Sequence, residues 1–187
     1  MGKTTLFLKY ILPLLVKNGF KIIIYDYHHT YVERTPSLYK YVKKYIHELR
    51  GDGLEILQTI NDEDTLSLLC ERVMTFDHVV VVFEELHNYC NNASAPKSFL
   101  YLCRNCNNRY IGYIAIFQRP SEVPNAVTAN AHHYFITYFS YPTEKERKYV
   151  LTPELLPYFS PSNPDQLKPF EFIYRSKGEY KWYKGKI

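Results

Sequence analysis

The sequence predicts an α/β fold in which helices cover both faces of a mainly parallel sheet. Three short apolar runs, at residues 22–25, 79–83 and 111–117, have the length of strands. Segments whose apolar residues recur at helical spacing separate these runs. Apolar strands without polar alternation are typical of parallel sheets that are buried on both faces.

Length and composition fit one folded domain. The chain has 187 residues, of which 46% are hydrophobic and 22% are charged, and roughly 150 residues per domain is typical. These values exclude a disordered, collagen-like or coiled-coil protein. We therefore expect a single domain over residues 1–187. The net charge of +4 is compatible with a nucleic-acid partner but is too small to predict one by itself.

The sequence shows no targeting or membrane-spanning pattern. The apolar stretch near the N-terminus is interrupted by Lys9 and is not followed by a small-residue cleavage site. Elsewhere the longest apolar runs have strand length, far below the ~20 residues that cross a bilayer. We expect a cytoplasmic protein that is not an integral membrane protein.

The first third of the chain predicts two helices and two strands. A helix over residues 4–17 contains Pro13, where we expect a kink, and it ends at an Asn-Gly pair. A strand over residues 21–25 ends in an acidic residue. Residues 37–50 predict a helix because their apolar side chains share one helical face, and residues 54–57 predict a further strand.

The middle of the chain continues the alternation of helices and strands. A helix over residues 63–74 leads to the strand at 79–83, which runs directly into two acidic residues. A helix over residues 97–106 precedes the strand at 111–117. Strands that alternate with helices in this way predict parallel pairing.

The last part of the chain predicts smaller elements. One more strand covers residues 133–139, and Thr143 and Glu146 form a capping box that begins a short helix. Residues 168–184 predict a C-terminal β-hairpin that turns at residues 176–178.

A glycine-lysine-threonine sequence stands at the start of the first helix. Gly2, Lys3, Thr4 and Thr5 have the form of the second half of a P-loop, G-x-x-x-x-G-K-[ST]. In the full motif, backbone N–H groups cradle phosphates, the lysine reaches the β- and γ-phosphate oxygens, and the hydroxyl binds Mg²⁺. Because such a tripeptide is common by chance, it needs support from elsewhere in the sequence.

Polar residues at the ends of two strands give that support. Glu84 and Glu85 directly follow the strand at 79–83. A P-loop ATPase needs one carboxylate near its metal, and a hydrolytic one needs a second carboxylate to activate the attacking water. Gln118 follows the next strand, where an amide can sense the γ-phosphate or orient water. The alternative interpretation is an acidic strand end that is merely solvated.

The four cysteines are too few for a disulfide scaffold in a chain of this length. His87, Cys90, Cys103 and Cys106 nevertheless form two close pairs with the spacing found in zinc sites. The segment between the pairs is predicted to be helical, so we favour structural thiols over zinc ligands.

Three segments together resemble the FtsK/HerA superfamily of DNA-pumping ATPases. Residues 117–124 (FQRPSEVP) are similar to the sensor region, in which TQRP closes the strand after Walker B. Residues 84–87 (EELH) resemble the DEAH-like Walker B motif, which accounts for His87 without zinc. Residues 24–28 (IYDYH) resemble the second strand, which ends in aspartate. The likeness spans roughly residues 2–185, and the small size resembles the genome-packaging ATPases of viruses with internal membranes.

The resemblance implies a RecA-like P-loop NTPase fold that uses ATP and Mg²⁺. It implies a homo-hexameric ring that threads double-stranded DNA through a central pore, in the host cytoplasm or in the virion. Genome packaging is the leading function, with capsid or membrane-associated portal proteins as further partners. A cellular or conjugative DNA translocase of the same superfamily is the alternative.

The resemblance also implies a nucleotide-binding set. Lys3, with Gly2 and Thr5, would contact the phosphates. Thr4 would bind both the nucleotide and the Mg²⁺, and Glu84 would lie in the metal's coordination shell.

For the reaction itself, the resemblance implies that Glu85 activates the attacking water and that Gln118 contacts the γ-phosphate. Arg109 matches the family's GR-x-x-G neighbourhood and is the candidate for an arginine finger that reaches a neighbouring subunit. Arg104 is the second candidate for that finger.

Two features depart from the family pattern. Glu84 stands where the family usually has aspartate, although a water-mediated contact with magnesium is compatible with the longer side chain. The chain also begins inside the P-loop, without its first glycine, the four residues after it, or the preceding strand, which normally lies in the middle of the sheet. We therefore expect weak ATP binding, a gap in the sheet, and a true start upstream of Met1.

Two other classes of protein remain as alternatives. A P-loop kinase of small molecules would share the phosphate-binding residues, but such kinases seldom need a second carboxylate or the Q-R-P sensor. A non-catalytic remnant would keep the fold and would not bind ATP with Mg²⁺.

Overall fold

A computed structural model defines the architecture. It describes residues 2–29, 31, 41–59, 64–91, 93–106, 110–137, 153–160, 163–179 and 181–187. These residues form a five-stranded parallel sheet and a three-stranded antiparallel sheet. Helices pack on the faces of the parallel sheet, so the predicted α/β class is confirmed.

The N-terminal helical run has three parts: α1 (Lys3–Leu6), a π-helical turn (Phe7–Ile11) and α2 (Leu12–Lys17). Pro13 is the second residue of α2, two positions after the last residue of the π turn. Proline has no backbone N–H and its ring crowds the carbonyl four residues before it, so the wider turn relieves a clash that a regular helix would impose. The distortion expected at Pro13 is this π turn.

The parallel sheet has the strand order β2-β3-β1-β4-β5. Its strands are β1 (Lys21–Tyr25), β2 (Tyr41–Lys43), β3 (Leu54–Leu57), β4 (Val79–Phe83) and β5 (Gly112–Ala115). At the centre, β1 and β4 pair with Tyr25 opposite Phe83. Both strands therefore end at the same edge, where α/β sheets bind their ligands.

All five residues of β4 are buried because helices cover both faces. On one face, Val81 packs with apolar residues of α3 (Thr65–Val73) and α4 (Lys97–Asn105). On the other face, Val82 belongs to a cluster that includes Phe7 and Leu12 of the N-terminal helical run. Each fully buried valine of this kind contributes about 1.5–3 kcal/mol of burial free energy.

The prediction of a helix over residues 37–50 is wrong for the described part of that segment. Residues 41–43 form β2, which pairs in parallel with β3, and Ile46–Glu48 forms a single 3-10 turn. The Glu48 carboxylate accepts the two backbone N–H groups before this turn, both at 2.9 Å. Pairing with the sheet outweighs the helical spacing of the apolar side chains. Residues 37–40 lie outside the described residues.

The C-terminal region forms the antiparallel sheet. Its strands are β6 (His133–Thr137), β7 (Glu171–Ser176) and β8 (Tyr183–Lys186). The predicted hairpin is present as β7 and β8. Residues 133–137 of the strand predicted at 133–139 form β6, which pairs with β7 in this second sheet and not in the parallel one. Residues 138 and 139 lie outside the described residues. A small core that includes Ile173 and Trp182 packs with α6 (Leu156–Phe159).

Helix α5 (Asn125–Asn130) lies between the two sheets in sequence, and hydrogen bonds join it to both. Tyr113 of β5 donates its hydroxyl to the carbonyl of Val127 at 2.9 Å, and Tyr134 of β6 donates to the carbonyl of Thr128 at 2.6 Å. Among the described residues, β5 and β6 each pair with a neighbouring strand on one side only. The predicted capping box at residues 143–146 lies outside the described residues.

Candidate functional site

Glu84 is the buried acid at the end of β4, with only 4% of its surface exposed. The Thr4 hydroxyl donates to Oε1 at 2.9 Å, and the Tyr31 hydroxyl donates to Oε2 at 2.7 Å. Burial raises the pKa of Glu84 above its ordinary value, while the two hydrogen bonds oppose this rise and the charge of Glu85 adds to it. Because carboxylate and hydroxyl oxygens are the ligands that Mg²⁺ prefers, Thr4 and Glu84 fit a magnesium ion.

A second buried acid supports this arrangement from the end of β1. Asp26 is fully buried and accepts the backbone N–H of Tyr31 at 2.9 Å and the Gln58 side-chain amide at 2.8 Å. Tyr31 therefore joins the two acids, with its backbone on Asp26 and its hydroxyl on Glu84. Thr4 and Tyr31 therefore hold the Glu84 carboxylate by hydrogen bonds, and Asp26 in turn holds Tyr31, although all three residues are distant from Glu84 in the sequence.

Tyr31 and Gln58 are site residues that the sequence analysis missed. Gln58 directly follows β3 and lies at the edge where β1 and β4 end, so the rule that identified Glu84 applies to it as well. Tyr31 stands in a polar connection with no periodic pattern, and nothing in the sequence distinguishes it from the other tyrosines.

Glu85 occupies a left-handed backbone conformation, with φ 51° and ψ 42°. Few residues other than glycine adopt this conformation, and those that do are common at functional sites. Gln118 donates its side-chain amide to the Glu85 carboxylate, at 3.1 Å to Oε2 and 3.4 Å to Oε1. His87 places Nε2 at 3.3 Å from the same Oε2. The structure thus brings Glu85 and Gln118 together from two neighbouring strand ends.

The other residues of the Gly-Lys-Thr-Thr sequence lie at the start of α1. Gly2 has φ 101°, a backbone conformation that favours glycine, and a Cβ atom there would stand 2.7 Å from Cδ1 of Ile187, the end of a flexible side chain. Lys3 is half-buried, and its positive charge acts on Glu84 to lower that residue's pKa slightly. Thr5 is exposed.

The structure describes one of the two candidate arginine fingers. Arg104 is exposed near the end of α4. Arg109 lies outside the described residues.

The cysteines Cys70, Cys90, Cys103 and Cys106 form no disulfide bond and are buried in the core that includes α3 and α4. Burial raises the pKa of Cys90 and of Cys103 to about 12. In the part of the chain that the structure describes, no three His, Cys, Asp or Glu side chains are grouped to hold a metal ion.

Among the described residues, no helix combines the length and the apolar character needed to cross a membrane.

Solved structures with the same fold come from viral packaging enzymes. The genome packaging NTPase B204 from Sulfolobus turreted icosahedral virus 2, in complex with AMPPCP, matches with a TM-score of 0.79 and 15% identity, over 99% of this chain and 91% of that chain. Its complex with AMP matches with a TM-score of 0.81 at 16% identity over the same shares. B204 from Sulfolobus turreted icosahedral virus, a DNA-packaging ATPase, matches with a TM-score of 0.73 at 16% identity, over 99% and 91% of the two chains.

At the level of sequence, no protein-family model matches the chain, and no curated protein matches it significantly. Structural likeness at such low identity establishes the fold. The chain has the parallel sheet flanked by helices of the RecA-like P-loop NTPases, and the predicted fold class is confirmed.

Proposed function

We propose that this protein is an ATPase motor that packages double-stranded DNA into a viral capsid. One observation carries the proposal: Thr4, Glu84, Glu85 and Gln118 meet at one edge of the parallel sheet. The fold adds support, because a structure that shares it is a packaging NTPase solved with AMPPCP and with ATP-gammaS. The spacing of a metal-binding acid and an adjacent second acid suits hydrolysis of ATP.

In this proposal, the start of α1 binds the phosphates. Lys3 contacts the β- and γ-phosphate oxygens, assisted by Gly2 and Thr5. The Thr4 hydroxyl and the Glu84 carboxylate hold Mg²⁺, which would neutralise charge on the phosphates. The hydrogen bond from Thr4 already joins the Glu84 carboxylate to α1.

Glu85 is the proposed general base. It takes a proton from a water molecule as the water oxygen bonds to the γ-phosphorus, and the bond from that phosphorus to the bridging oxygen breaks, so ADP leaves with the electron pair. Gln118 contacts the γ-phosphate and keeps the base in line with it. Arg109, or else Arg104, reaches the neighbouring site in a homo-hexamer and stabilises charge in the transition state.

We further propose that the ATPase domain contains one more parallel strand, between β5 and β6. Both strands have an edge with no described partner, and α5 is bonded to both of them. The loop after such a strand would add backbone N–H groups next to Gly2, which is what binding of three phosphates requires. The codons upstream of Met1 test this point directly, since they either encode an apolar run and a glycine-rich loop or they do not.

The experiment on function uses the full product of the gene and measures phosphate release from ATP with Mg²⁺, with and without double-stranded DNA. We expect turnover that DNA stimulates. The E85Q variant removes only the base, so we expect unchanged ATP binding and a loss of turnover of about 10²–10⁴-fold. Glu71 is exposed on α3, away from the site, and E71Q is the matched control with normal turnover.

Three outcomes would contradict the proposal in different ways. Normal turnover in E85Q would remove Glu85 from the mechanism. Turnover that DNA does not stimulate, together with phosphate transfer to a small molecule, would indicate a kinase. Failure of the full gene product to bind ATP with Mg²⁺ would indicate a non-catalytic protein with this fold.

A further inference from the structure

The residue two positions after the proposed base lies against it. His87 belongs to the 3-10 turn Leu86–Asn88, which begins directly after the left-handed Glu85. Its Nε2 atom stands 3.3 Å from Oε2 of Glu85, and the two side chains are only 13% and 19% exposed. No function described above uses this histidine.

The surroundings of the other ring nitrogen of His87 favour one of the two neutral tautomers. Nδ1 is buried, and none of the residues that the structure describes forms a hydrogen bond with it. A neutral imidazole has one N–H group. If that proton were on Nδ1, a buried donor would lack an acceptor and a bare Nε2 lone pair would face a carboxylate. With the proton on Nε2, the N–H group lies 3.3 Å from a carboxylate oxygen, and hydrogen bonds to a charged acceptor are the stronger kind.

We infer that His87 is a positioning residue that holds Glu85 by donating from Nε2 to Oε2. Gln118 donates to the same oxygen at 3.1 Å and is farther from Oε1, at 3.4 Å. Two donors therefore lie nearest to Oε2, and Oε1, which has only the longer contact with Gln118, is the oxygen that accepts the proton of the attacking water. The inference rests on the proposed function of Glu85 as a base.

The strained backbone and the flexible side chain of Glu85 explain why its carboxylate needs two hydrogen-bond donors. Its left-handed conformation costs about 1–2 kcal/mol for a residue with a Cβ atom, and the glutamate side chain has several rotatable bonds. Without a donor on either side, the carboxylate would sample several rotamers near the site. Misplacement of a catalytic group by about 1 Å can cost 10²-fold in rate, so a local donor two residues away has a direct effect on turnover.

The first test compares three substitutions of His87 in the full gene product. Glutamine carries its amide nitrogen near the position of Nε2, asparagine carries it near that of Nδ1, and leucine has no donor. We expect H87Q to retain most of the turnover number, and we expect H87N and H87L to lose about 10²-fold. The KM for ATP and the affinity for ATP with Mg²⁺ stay unchanged in all three, because His87 is not placed at the phosphates. Equal turnover in wild type, H87Q and H87L would overturn the inference.

The second test reads the contact without any catalysis. In protein with ¹⁵N-labelled histidine, the His87 ring signals are identified by their loss in H87Q. We expect the pattern of a ring that carries its proton on Nε2, and we expect these signals to move in E85Q and to stay in place in the control E71Q. A ring protonated at Nδ1, or signals that ignore E85Q, would overturn the inference.

The two tests separate failure of the inference from failure of the proposed function. If the wild type does not hydrolyse ATP, the proposed function fails, and the ¹⁵N spectrum still decides whether His87 donates to Glu85. If the wild type hydrolyses ATP and H87L is as fast, the proposed function stands and the role of His87 fails.

Discussion

The Thr4 hydroxyl donates a hydrogen bond of 2.9 Å to Glu84, a residue 80 positions later in the sequence. This bond joins the first turn of the N-terminal helix to the end of the central strand β4. It also holds a carboxylate whose pKa is raised by burial, so the arrangement carries an electrostatic cost in the absence of a cation. Sites that place a charge where ligand chemistry needs it commonly lower the stability of the free protein.

Replacement of Glu84 by glutamine should stabilise the nucleotide-free protein at neutral pH. The pKa of Glu84 is higher in the folded chain than its ordinary value of 4.5. The unfolded chain therefore loses its proton first as the pH rises, and wild-type stability falls through that range and stays lower above it. E84Q has no such group. We expect the difference in melting temperature between E84Q and wild type to be small at low pH and to grow in favour of E84Q as the pH rises.

Glu55 provides the matched control for this prediction. It is also buried, at 1% exposure, but its carboxylate accepts backbone N–H groups of Arg50, Gly51 and Asp52. Backbone N–H groups can only donate a hydrogen bond, whereas the hydroxyl groups that face Glu84 can also accept one. E55Q would set an amide against N–H groups and should cost about 1–3 kcal/mol. Stabilisation by both substitutions, or by neither, would contradict our account of Glu84.

Removal of the Tyr31 hydroxyl should weaken the site more than it disturbs the core. The ring packs near Phe7, with centroids 6.2 Å apart, and phenylalanine keeps that contact. Y31F loses the 2.7 Å hydrogen bond to Glu84, and bonds to a charged group contribute about 1.5–3 kcal/mol. We expect a loss of that size in urea unfolding and weaker binding of ATP with Mg²⁺.

Tyr113 tests whether the charge of the acceptor determines how much a tyrosine hydroxyl contributes to stability. Its hydroxyl donates to a neutral carbonyl, that of Val127, at 2.9 Å. Y113F should therefore cost only about 0.5–1.5 kcal/mol, with ATP binding unchanged. A cost for Y31F no larger than that for Y113F would indicate that the Tyr31 bond has no special role.

The sequence was sufficient to predict the buried strands and the acids that follow them. Strand β4 is a pure apolar run, and both central strands are buried on two faces, so composition alone locates Glu84 and Glu85. Strand β2 was missed because residues 41–43 have helical spacing and become extended only by pairing with β3. Local pattern carries no information about that partner.

The same limit applies to the site. Thr4, Glu84 and Gln118 belong to short motifs that a sequence displays directly. Tyr31 belongs to the site because its backbone N–H donates to Asp26 at 2.9 Å while its hydroxyl donates to Glu84. That relation depends on the path of a polar connection in three dimensions, which neither periodicity nor composition encodes.

The core thiols should resist alkylation in the folded protein. Burial raises the pKa of Cys90 and of Cys103 to about 12, and only the thiolate reacts. We expect no modification by iodoacetamide at pH 8 in native protein and complete modification after unfolding in guanidinium. A chelator in the buffer is the control for zinc, and a chelator that made these cysteines reactive would contradict our interpretation of them as structural thiols.

Alanine at Gly2 should destabilise the protein mainly through the first of two separable effects. The first is backbone strain, since φ is 101°, and the second is a Cβ atom 2.7 Å from Cδ1 of Ile187. Gly178 is the matched control because it has φ 90° and nothing within 4 Å of its Cβ position. G178A should cost about 1–2 kcal/mol from strain alone, and G2A should cost little more, because the atom that its Cβ would meet is the end of the flexible Ile187 side chain. A clearly larger loss for G2A in thermal unfolding would mean that Ile187 cannot move aside and that crowding adds to the strain.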